Sequence, residues 1–185
     1  MKSRPNISDL EKKLGYFFSN SSLLNLALTH KSFSSKNNER LEFLGDAVLG
    51  YVIAADLYRS HEELQEDALS LMRVALVRGD MLAEIALDCN LPDYLLLGPG
   101  ELKSGGRTRP SILADALEAI IGAVHEDGGI EDCRNLIKNI FGSRLVGLEL
   151  ENLKDPKTRL QEILQGNNEE FPVYEVESVT GQDHD

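Results

Sequence analysis

Five carboxylates fall into two groups whose spacing suits chemistry on the face of a helix. On a helix that turns about 100° per residue, Glu39, Glu42 and Asp46 share a stripe about 60° wide. Asp115 and Glu118 lie about 60° apart on a second predicted helix. Neither group has a Lys or Arg four residues away, so its like charges repel unless a cation binds. With oxygen ligands and no His or Cys nearby, the expected ion is hard: Mg²⁺, or Mn²⁺ as a substitute.

A solvated helix face is the alternative interpretation of each group taken alone, because amphipathic helices carry charge on their outer side. Two features favour a site: the missing basic partners, and the apolar stretches 44–49 and 112–117 in which the acidic residues lie. The predicted core faces lie opposite the acidic stripes and consist of Leu41, Leu44, Val48 and Val52 on one helix and Leu113, Leu117, Ile120 and Val124 on the other.

Helices are the elements that must position these groups, because apolar residues recur with helical spacing through the first 150 residues. A capping box formed by Ser8 and Glu11 opens a short helix that ends at Gly15. The other predicted helices span residues 20–28, 39–58, 66–78, 81–87, 111–125 and 130–145. No convincing alternating strand precedes residue 170, so this part of the chain is predicted to be all-α.

Two segments interrupt the helical pattern. Residues 97–110 are rich in Gly and Pro and carry Lys103, Arg107 and Arg109. Loops of this length in compact domains are usually functional or disordered. Further on, a polar linker, a short helix and a strand are predicted at residues 149–154, 156–165 and 172–179.

Composition limits the class of protein. The chain has 185 residues, of which 42% are hydrophobic, and a net charge of −12, which suits a globular domain and argues against a binder coated with cations. Cys89 and Cys133 form neither a disulfide framework nor a zinc motif and fit a reducing cytosol. The longest uncharged apolar stretch is too short to span a bilayer, and no secretory signal is recognisable. We therefore expect a cytoplasmic protein that does not enter a membrane.

Three blocks of the chain closely resemble the ribonuclease III family of bacteria. They are NERLEFLGDAVL at residues 38–49, GPGELKSGG at 98–106 and SILADALE at 111–118, in the order that the family has them. The resemblance covers residues 1–150. Residues 156–184 resemble the start of a double-stranded-RNA-binding domain, and the chain ends before the third strand and last helix of such a module.

The resemblance implies an all-α, homodimeric ribonuclease III endonuclease domain over residues 1–148, a linker at 149–154, and the incomplete start of an α+β double-stranded-RNA-binding domain over 155–185. The implied activity is divalent-metal-dependent hydrolysis of double-stranded RNA, which leaves 5′-phosphate and 3′-hydroxyl ends with two-nucleotide 3′ overhangs. The expected substrates are rRNA precursors and some mRNA and tRNA precursors. No small-molecule cofactor is expected.

Position in the family's motifs implies roles for individual residues. The implied metal ligands are Glu42, Asp46, Asp115 and Glu118, of which Asp46 and Glu118 are also the implied catalytic residues. The implied RNA contacts are Glu39, Glu66 and Arg109 in the first domain and Thr158, Gln161 and Glu162 in the tail. His30 is a further candidate for an RNA contact, although a lone His is more often a capping or surface residue.

Phe43 is the predicted centre of a homodimer. It lies about 40° round the helix from Glu39, beside the carboxylates and away from the core face. An aromatic side chain there is either exposed or covered by a partner, and aromatic anchors are typical of interfaces. We therefore predict a two-fold dimer with Phe43 at its centre.

Two other classes of protein stay open at this point. A ribonuclease III-like scaffold that binds without cutting should lack at least one of the four metal carboxylates, and all four are present here. An unrelated all-α metal-binding regulator would leave the glycine-rich basic loop and the tail unexplained. Mg²⁺-dependent cleavage of long duplex RNA, compared with single strands and duplex DNA, separates these classes.

Overall fold

The computed structural model describes residues 5–145 and, beyond them, Leu164. Contacts divide the chain into two units, Met1–Leu148 and Glu149–Asp185, and the fold below belongs to the first. The predicted linker lies outside the described residues, as do the strand predicted at 172–179 and all but Leu164 of the helix predicted at 156–165. The candidate RNA contacts that also lie outside them are Thr158, Gln161 and Glu162.

Residues 5–145 are built from helices, which confirms the all-α prediction. The α-helices are α1 (Ile7–Leu14), α2 (Ser21–Ala27), α3 (Glu39–Ser60), α4 (Glu66–Val77), α5 (Gly79–Asp88), α6 (Pro99–Lys103), α7 (Pro110–Gly128) and α8 (Ile130–Phe141). Short 3₁₀ turns span Leu91–Asp93, Gly106–Thr108 and Gly142–Leu145. None of the helices described has the length and apolar character needed to cross a membrane.

Two asparagines begin the first two helices, and at α1 Asn6 takes the place of the predicted Ser8. The Asn6 side chain accepts a hydrogen bond from the Ser8 N–H at 3.2 Å, and Asn20 accepts one from the Ser22 N–H at 3.1 Å. The capping box predicted at Ser8 was wrong, because Asn and Ser are almost equally good caps and spacing alone does not choose between them. Gly15 ends α1 as predicted, in the left-handed conformation with φ 71°.

Helix α7 lies at the centre of the fold, packed by α2, α3, α5 and α8. The sequence predicted a single apolar side. The structure instead buries every position from Ile112 to Val124 except Asp115 and Glu118, which are half-buried. The one-sided prediction was wrong because a central helix is covered all round. The two carboxylates are therefore the polar exceptions on a buried helix.

Helix α3 is also buried on more sides than predicted. Leu41, Val48 and Val52 are buried as expected, whereas Leu44 is only half-buried. Leu49 and Ile53 lie on the acidic side of the helical wheel and are nevertheless buried, because α4, α7 and α8 all pack on α3. The side of α3 that carries the acidic stripe is therefore exposed at Glu39 and Asp46 but half-buried at Glu42 and buried further along the helix.

Two glycines allow α3 and α7 to cross at close range. A Cβ atom on Gly45 would overlap the backbone carbonyl of Glu118, and one on Gly122 would overlap the carbonyl of Leu41. Only a residue without a side chain permits this approach. The crossing therefore brings the acidic stretch of α3 against that of α7.

The glycine-rich segment 97–110 folds into short elements, α6 and the turn Gly106–Thr108, with Gly105 at φ 78° between them. Just before this segment, the Leu96 N–H donates to the Leu28 carbonyl at 2.9 Å, and the His30 N–H donates to the Leu96 carbonyl at 3.1 Å. These bonds form an isolated parallel bridge next to α2. The segment that follows α2 is thereby fixed to the start of the basic loop.

Candidate metal centre

Three carboxylates meet where α3 crosses α7. One carboxylate oxygen each from Glu42, Asp115 and Glu118 can be chosen so that all three atoms lie within 4.8 Å of one another. All three side chains are half-buried. Glu42 comes from the second predicted position of the acidic stripe on α3, and the other two come from successive turns of α7. The structure therefore brings together three of the four residues predicted to hold a metal.

Asp46, the fourth predicted ligand, lies one turn after Glu42 on α3 and is exposed. It stands outside the group of three. Its charge nevertheless acts on Glu118 and helps to raise the pKa of that carboxyl. Asp46 is thus the solvent-facing member of the acidic site.

Burial and mutual repulsion control the charge of this site. Burial raises the pKa of Glu118 to about 7, and Asp46, Asp115 and Glu42 add to the effect. Burial is likewise the first cause of the raised pKa of Glu42, followed by the charge of Asp115. Buried carboxylates that share a site stabilise each other poorly until a positive charge arrives. The donor set, three carboxylates without a sulfur or imidazole ligand, fits a hard divalent cation.

Glu39 lies at the rim of this cluster in an ion pair that the sequence did not suggest. Its Oε1 is 3.0 Å from the Lys31 Nζ, and both side chains are exposed. Lys31 lowers the pKa of the Glu39 carboxyl, mainly through this hydrogen bond. No helical spacing marks the pair, because Lys31 precedes α3 and reaches Glu39 only through the folded connection.

His30 lies beside the same rim. Its ring Nδ1 is 2.8 Å from the Ser32 Oγ, which also accepts the Gly98 N–H at 2.9 Å. The backbone of Ser32 is so close to Gly98 that a Cβ there would overlap the Ser32 carbonyl. Burial raises the pKa of the Asp115 carboxyl, and the nearby His30 partly offsets this effect. His30 therefore belongs to a segment that hydrogen bonds hold against the chain around Leu96–Gly98.

Arg109 is already engaged within the protein. Its guanidinium forms an ion pair with Glu101 and donates to the Ser104 Oγ at 3.1 Å. Arg109 is also the residue from which α7 begins. Arg107 is used in a similar way, because its guanidinium donates to the Pro92 carbonyl. These contacts brace the basic loop, and the sequence alone gave no sign of them.

Glu66 lies far from the three-carboxylate group. It begins α4, where its Oε1 accepts the Ser70 Oγ–H at 2.7 Å, and it lines a surface depression that Tyr58 also lines. Glu42 and Tyr58 stand at opposite ends of α3, which at about 1.5 Å per residue puts them about 24 Å apart. The structure therefore does not place Glu66 with the metal ligands of its own chain.

Phe43 is 81% exposed. It lines a surface depression together with Leu23, Leu26 and Leu44. Nothing in the described part of the chain covers the ring, which agrees with the predicted position of Phe43 away from the core face. Its place in a dimer stays a prediction.

The chain matches known proteins along most of its length. A family model described as Ribonuclease-III-like matches residues 20–144. Ribonuclease 3 of Vibrio parahaemolyticus is 54% identical over 179 residues, covering 96% of this chain and 80% of that protein. The crystal structure of the nuclease domain of ribonuclease III from Campylobacter jejuni is 45% identical, with a TM-score of 0.74, and the match covers 78% of this chain and 99% of that one. A second structure of that domain, described for flexibility in a region involved in dimer formation, has the same identity and TM-score and covers 77% of this chain and 100% of that one.

An all-α fold with carboxylates at the crossing of two central helices defines a helical nuclease domain, as the Campylobacter match shows. The chain belongs to the ribonuclease III family and is an endoribonuclease. The family resemblance drawn from the three sequence blocks is therefore confirmed. The acidic cluster also suits the family's dependence on a divalent metal.

Proposed function

We propose that this endoribonuclease hydrolyses double-stranded RNA with a divalent cation held by Glu42, Asp115 and Glu118. The observation that supports the proposal is the meeting of these three carboxylates at the crossing of α3 and α7. The products are 5′-phosphate and 3′-hydroxyl ends with two-nucleotide 3′ overhangs. Mg²⁺ is the expected cation and Mn²⁺ its substitute, because both prefer oxygen ligands.

The carboxylates of the site have two roles, holding the cation and activating water. A bound divalent cation supplies charge neutralisation at the phosphate and lowers the pKa of water. Glu118 and its two neighbours hold that charge in place. Asp46, exposed beside Glu118, orients the attacking water and accepts its proton. An ionised carboxylate suits this task because its two oxygens accept hydrogen bonds and donate none.

The activity is tested on three substrates. Long perfect duplex RNA should be cut in Mg²⁺ and left intact in a chelator, because the acidic centre repels phosphate without its cation. Single-stranded RNA and duplex DNA of the same sequence should not be cut. Equal cleavage of single strands, or cleavage of the duplex in a chelator, would contradict the proposal.

The metal and a proton compete for Glu118, which predicts a pH dependence of metal-induced stability. The pKa of Glu118 lies at about 7 in the folded protein, above its ordinary value of 4.5. Without metal the group therefore favours the folded state most at low pH, and this stability is lost as the pH rises through about 7. Mn²⁺ binds Glu118, and so offsets its repulsion by the neighbouring carboxylates, only when the Glu118 carboxyl is ionised. Mn²⁺ should therefore raise the melting temperature more at pH 8 than at pH 5.5.

Thermal unfolding followed by circular dichroism at the two pH values measures this effect. Glu118→Gln should lose most of the difference between them, because its amide does not titrate. An Mn²⁺ effect that is equal at pH 5.5 and pH 8 in the wild type would remove Glu118 from the metal-binding group.

We propose that the enzyme is a homodimer and that the exposed edge of α3 forms its interface. Phe43, Ala47, Tyr51 and Tyr58 lie on one edge of α3, within about 80° of the helical wheel, and all four are exposed. Tyr58 is 74% exposed and Phe43 81%. An apolar edge that runs the length of a helix is characteristic of an interaction surface. Phe43 is then the anchor near the start of that edge.

Phe43→Asp should weaken the dimer by about 30-fold or more, because it places a charge where an aromatic anchor is buried. Sedimentation equilibrium over a range of concentrations measures the change. Phe17→Asp is the matched control, since Phe17 is also an exposed aromatic residue but lies in the connection between α1 and α2. A dimer of unchanged strength in Phe43→Asp would rule out this role for the residue.

The remaining assignments are also proposals. RNA-binding roles for Glu39, Glu66 and Arg109, and for Thr158, Gln161 and Glu162 of the tail, follow from the family's motifs. We also propose that the chain divides at residues 148 and 155. The proposed role is the processing of rRNA, mRNA and tRNA precursors, and the proposed location is the cytoplasm. Substrate profiling of RNA from cells that lack the enzyme would identify the precursors it cuts.

A further inference from the structure

Lys31 lies between two residues that bond to the start of the basic loop. The residue before it, His30, donates its backbone N–H to the Leu96 carbonyl, and the side-chain Oγ of the residue after it, Ser32, accepts the Gly98 N–H. Both neighbours of Lys31 are therefore tied to the chain around Leu96–Gly98. The side chain itself is exposed and ends in the 3.0 Å pair with Glu39.

The charge of Lys31 faces the carboxylates. Three acidic groups, Glu39, Glu42 and Asp115, each raise the pKa of the Lys31 amine. Two of these three belong to the group that meets at the helix crossing. The Lys31 ammonium is thus held 3.0 Å from Glu39, about one helical turn before Glu42, and it interacts with two of the three carboxylates proposed to hold the cation.

Two other cationic side chains near this region already form contacts within the protein. Arg109 is paired with Glu101 and Ser104, and Arg107 donates to the Pro92 carbonyl. Arg40 follows Glu39 directly but lies about 100° round α3, towards Phe43. Lys31 differs from the two paired arginines, because the partner recorded for it among the described residues is an exposed carboxylate. An exposed ion pair of this kind adds little stability and exchanges readily for another anion.

We propose that Lys31 binds an RNA phosphate next to the cleaved bond, and that Glu39 is the residue that positions it. This rests on the proposed action on double-stranded RNA. The acidic centre repels the phosphates that flank the cleaved one, and a cation at its edge offsets that repulsion. A lysine suits the task, since its ammonium is a point charge on a flexible stem that can move from Glu39 to phosphate. Glu39 then acts on RNA through Lys31 and does not itself touch it.

Lys31→Gln tests the proposal against a matched control, Lys12→Gln. Lys12 forms an exposed pair with Asp9 at 3.2 Å on α1, so its substitution removes the same charge and the same type of ion pair elsewhere. Lys31→Gln should raise KM for duplex RNA about 10-fold and leave kcat within about twofold, as expected for a phosphate contact. The slope of log KM against log salt concentration should fall by about one. Lys12→Gln should match the wild type in all three quantities.

Direct metal binding separates a phosphate contact from a structural role. Mn²⁺ binding to the free enzyme is measured by calorimetry without RNA. Lys31→Gln should bind Mn²⁺ as tightly as the wild type or more tightly, because a neighbouring positive charge has gone. A structural role would weaken metal and RNA binding together. Lys31→Arg, which keeps the charge, should retain KM near the wild-type value.

Glu39→Gln tests the positioning role. It should raise KM about threefold, and the double variant Lys31→Gln/Glu39→Gln should be no worse than Lys31→Gln alone, because Glu39 acts through Lys31. Additive losses would show that Glu39 acts independently and would overturn this part of the proposal. A salt slope and KM for Lys31→Gln equal to those of Lys12→Gln would overturn the whole inference. A wild type that does not cut duplex RNA would instead contradict the proposed function.

Discussion

Glu118→Gln should abolish cleavage while the protein stays folded. Its carboxylate is one of three at the helix crossing, and an amide in its place removes a charged ligand from the site. Changes to groups that merely support metal ligands already cost 10- to 100-fold, so the loss of a ligand should lower kcat by more than about 100-fold. Cleavage of duplex RNA in Mg²⁺ under single-turnover conditions measures the effect.

The fold should survive this substitution because, without metal, the ionised Glu118 carboxylate does not stabilise the folded protein. Burial and the neighbouring acids raise the pKa of Glu118, so its charged form is disfavoured in the metal-free protein. The melting temperature without metal at pH 8 should therefore be unchanged or higher. Glu84→Gln, on the exposed side of α5, is the control and should leave both activity and melting temperature as they are. Turnover by Glu118→Gln near the wild-type rate would show that the site is assigned wrongly.

Asp46→Asn should show the same loss of activity for a different reason. The residue lies outside the group of three, so its substitution should leave Mn²⁺ affinity closer to that of the wild type than Glu118→Gln does. In the proposed mechanism, what it removes is the group that would accept a proton from the attacking water. Parallel measurements of kcat and of Mn²⁺ binding distinguish the two roles. Equal loss of metal binding in both variants would make Asp46 a fourth ligand.

Gly45→Ala should destabilise the protein by about 3 kcal/mol or more, which lies at the upper end of the cost of inserting a methyl group into a packed core. The new Cβ would overlap the Glu118 carbonyl, and a backbone atom of a central helix has little room to move. Helices α3 and α7 must separate, which also parts the three carboxylates that meet between them. Both the free energy of unfolding and the cleavage rate should therefore fall.

Urea unfolding measures the loss of stability. Gly122→Ala, the other side of the same crossing, should behave alike, because its Cβ would overlap the Leu41 carbonyl. Gly79→Ala is the matched control, since nothing lies within 4 Å of its Cβ position at the start of α5. Its stability should be unchanged or slightly higher, as alanine is the better helix former. Wild-type stability in Gly45→Ala would mean that α3 and α7 are less closely packed than described.

The chemistry of the site could be predicted from sequence because it depends on residue type and helical spacing. Glu42 with Asp46, and Asp115 with Glu118, are separated by one turn or less, so any helix puts each pair on one side. All the α-helices except α6 followed from apolar periodicity, and their observed bounds differ from the predictions by a few residues at most ends. The loop prediction was wrong at α6, which lies within the glycine- and proline-rich segment. Only the family resemblance connected the two groups to each other.

The surroundings of the site could not be predicted, because they depend on contacts between distant segments. A helical wheel assumes one buried side, and it failed for Leu49 and Ile53, which are covered by neighbouring helices as well. Nothing in the sequence paired Lys31 with Glu39 or Arg109 with Glu101, since each pair forms across a turn of irregular backbone. Charge pairs of this kind are visible only once the chain is folded.

The crossing of α3 and α7 also sets the time at which the enzyme can begin to act during its own synthesis. Glu42 leaves the ribosome early, whereas Asp115 and Glu118 follow only after three further α-helices, α4 to α6, have been made. At about 5–20 residues per second, the nascent chain spends several seconds with half of its acidic centre. The separation in sequence also makes this contact a slow one to form. A nascent chain beside ribosomal and messenger RNA is therefore inert as a nuclease until its central helix has docked.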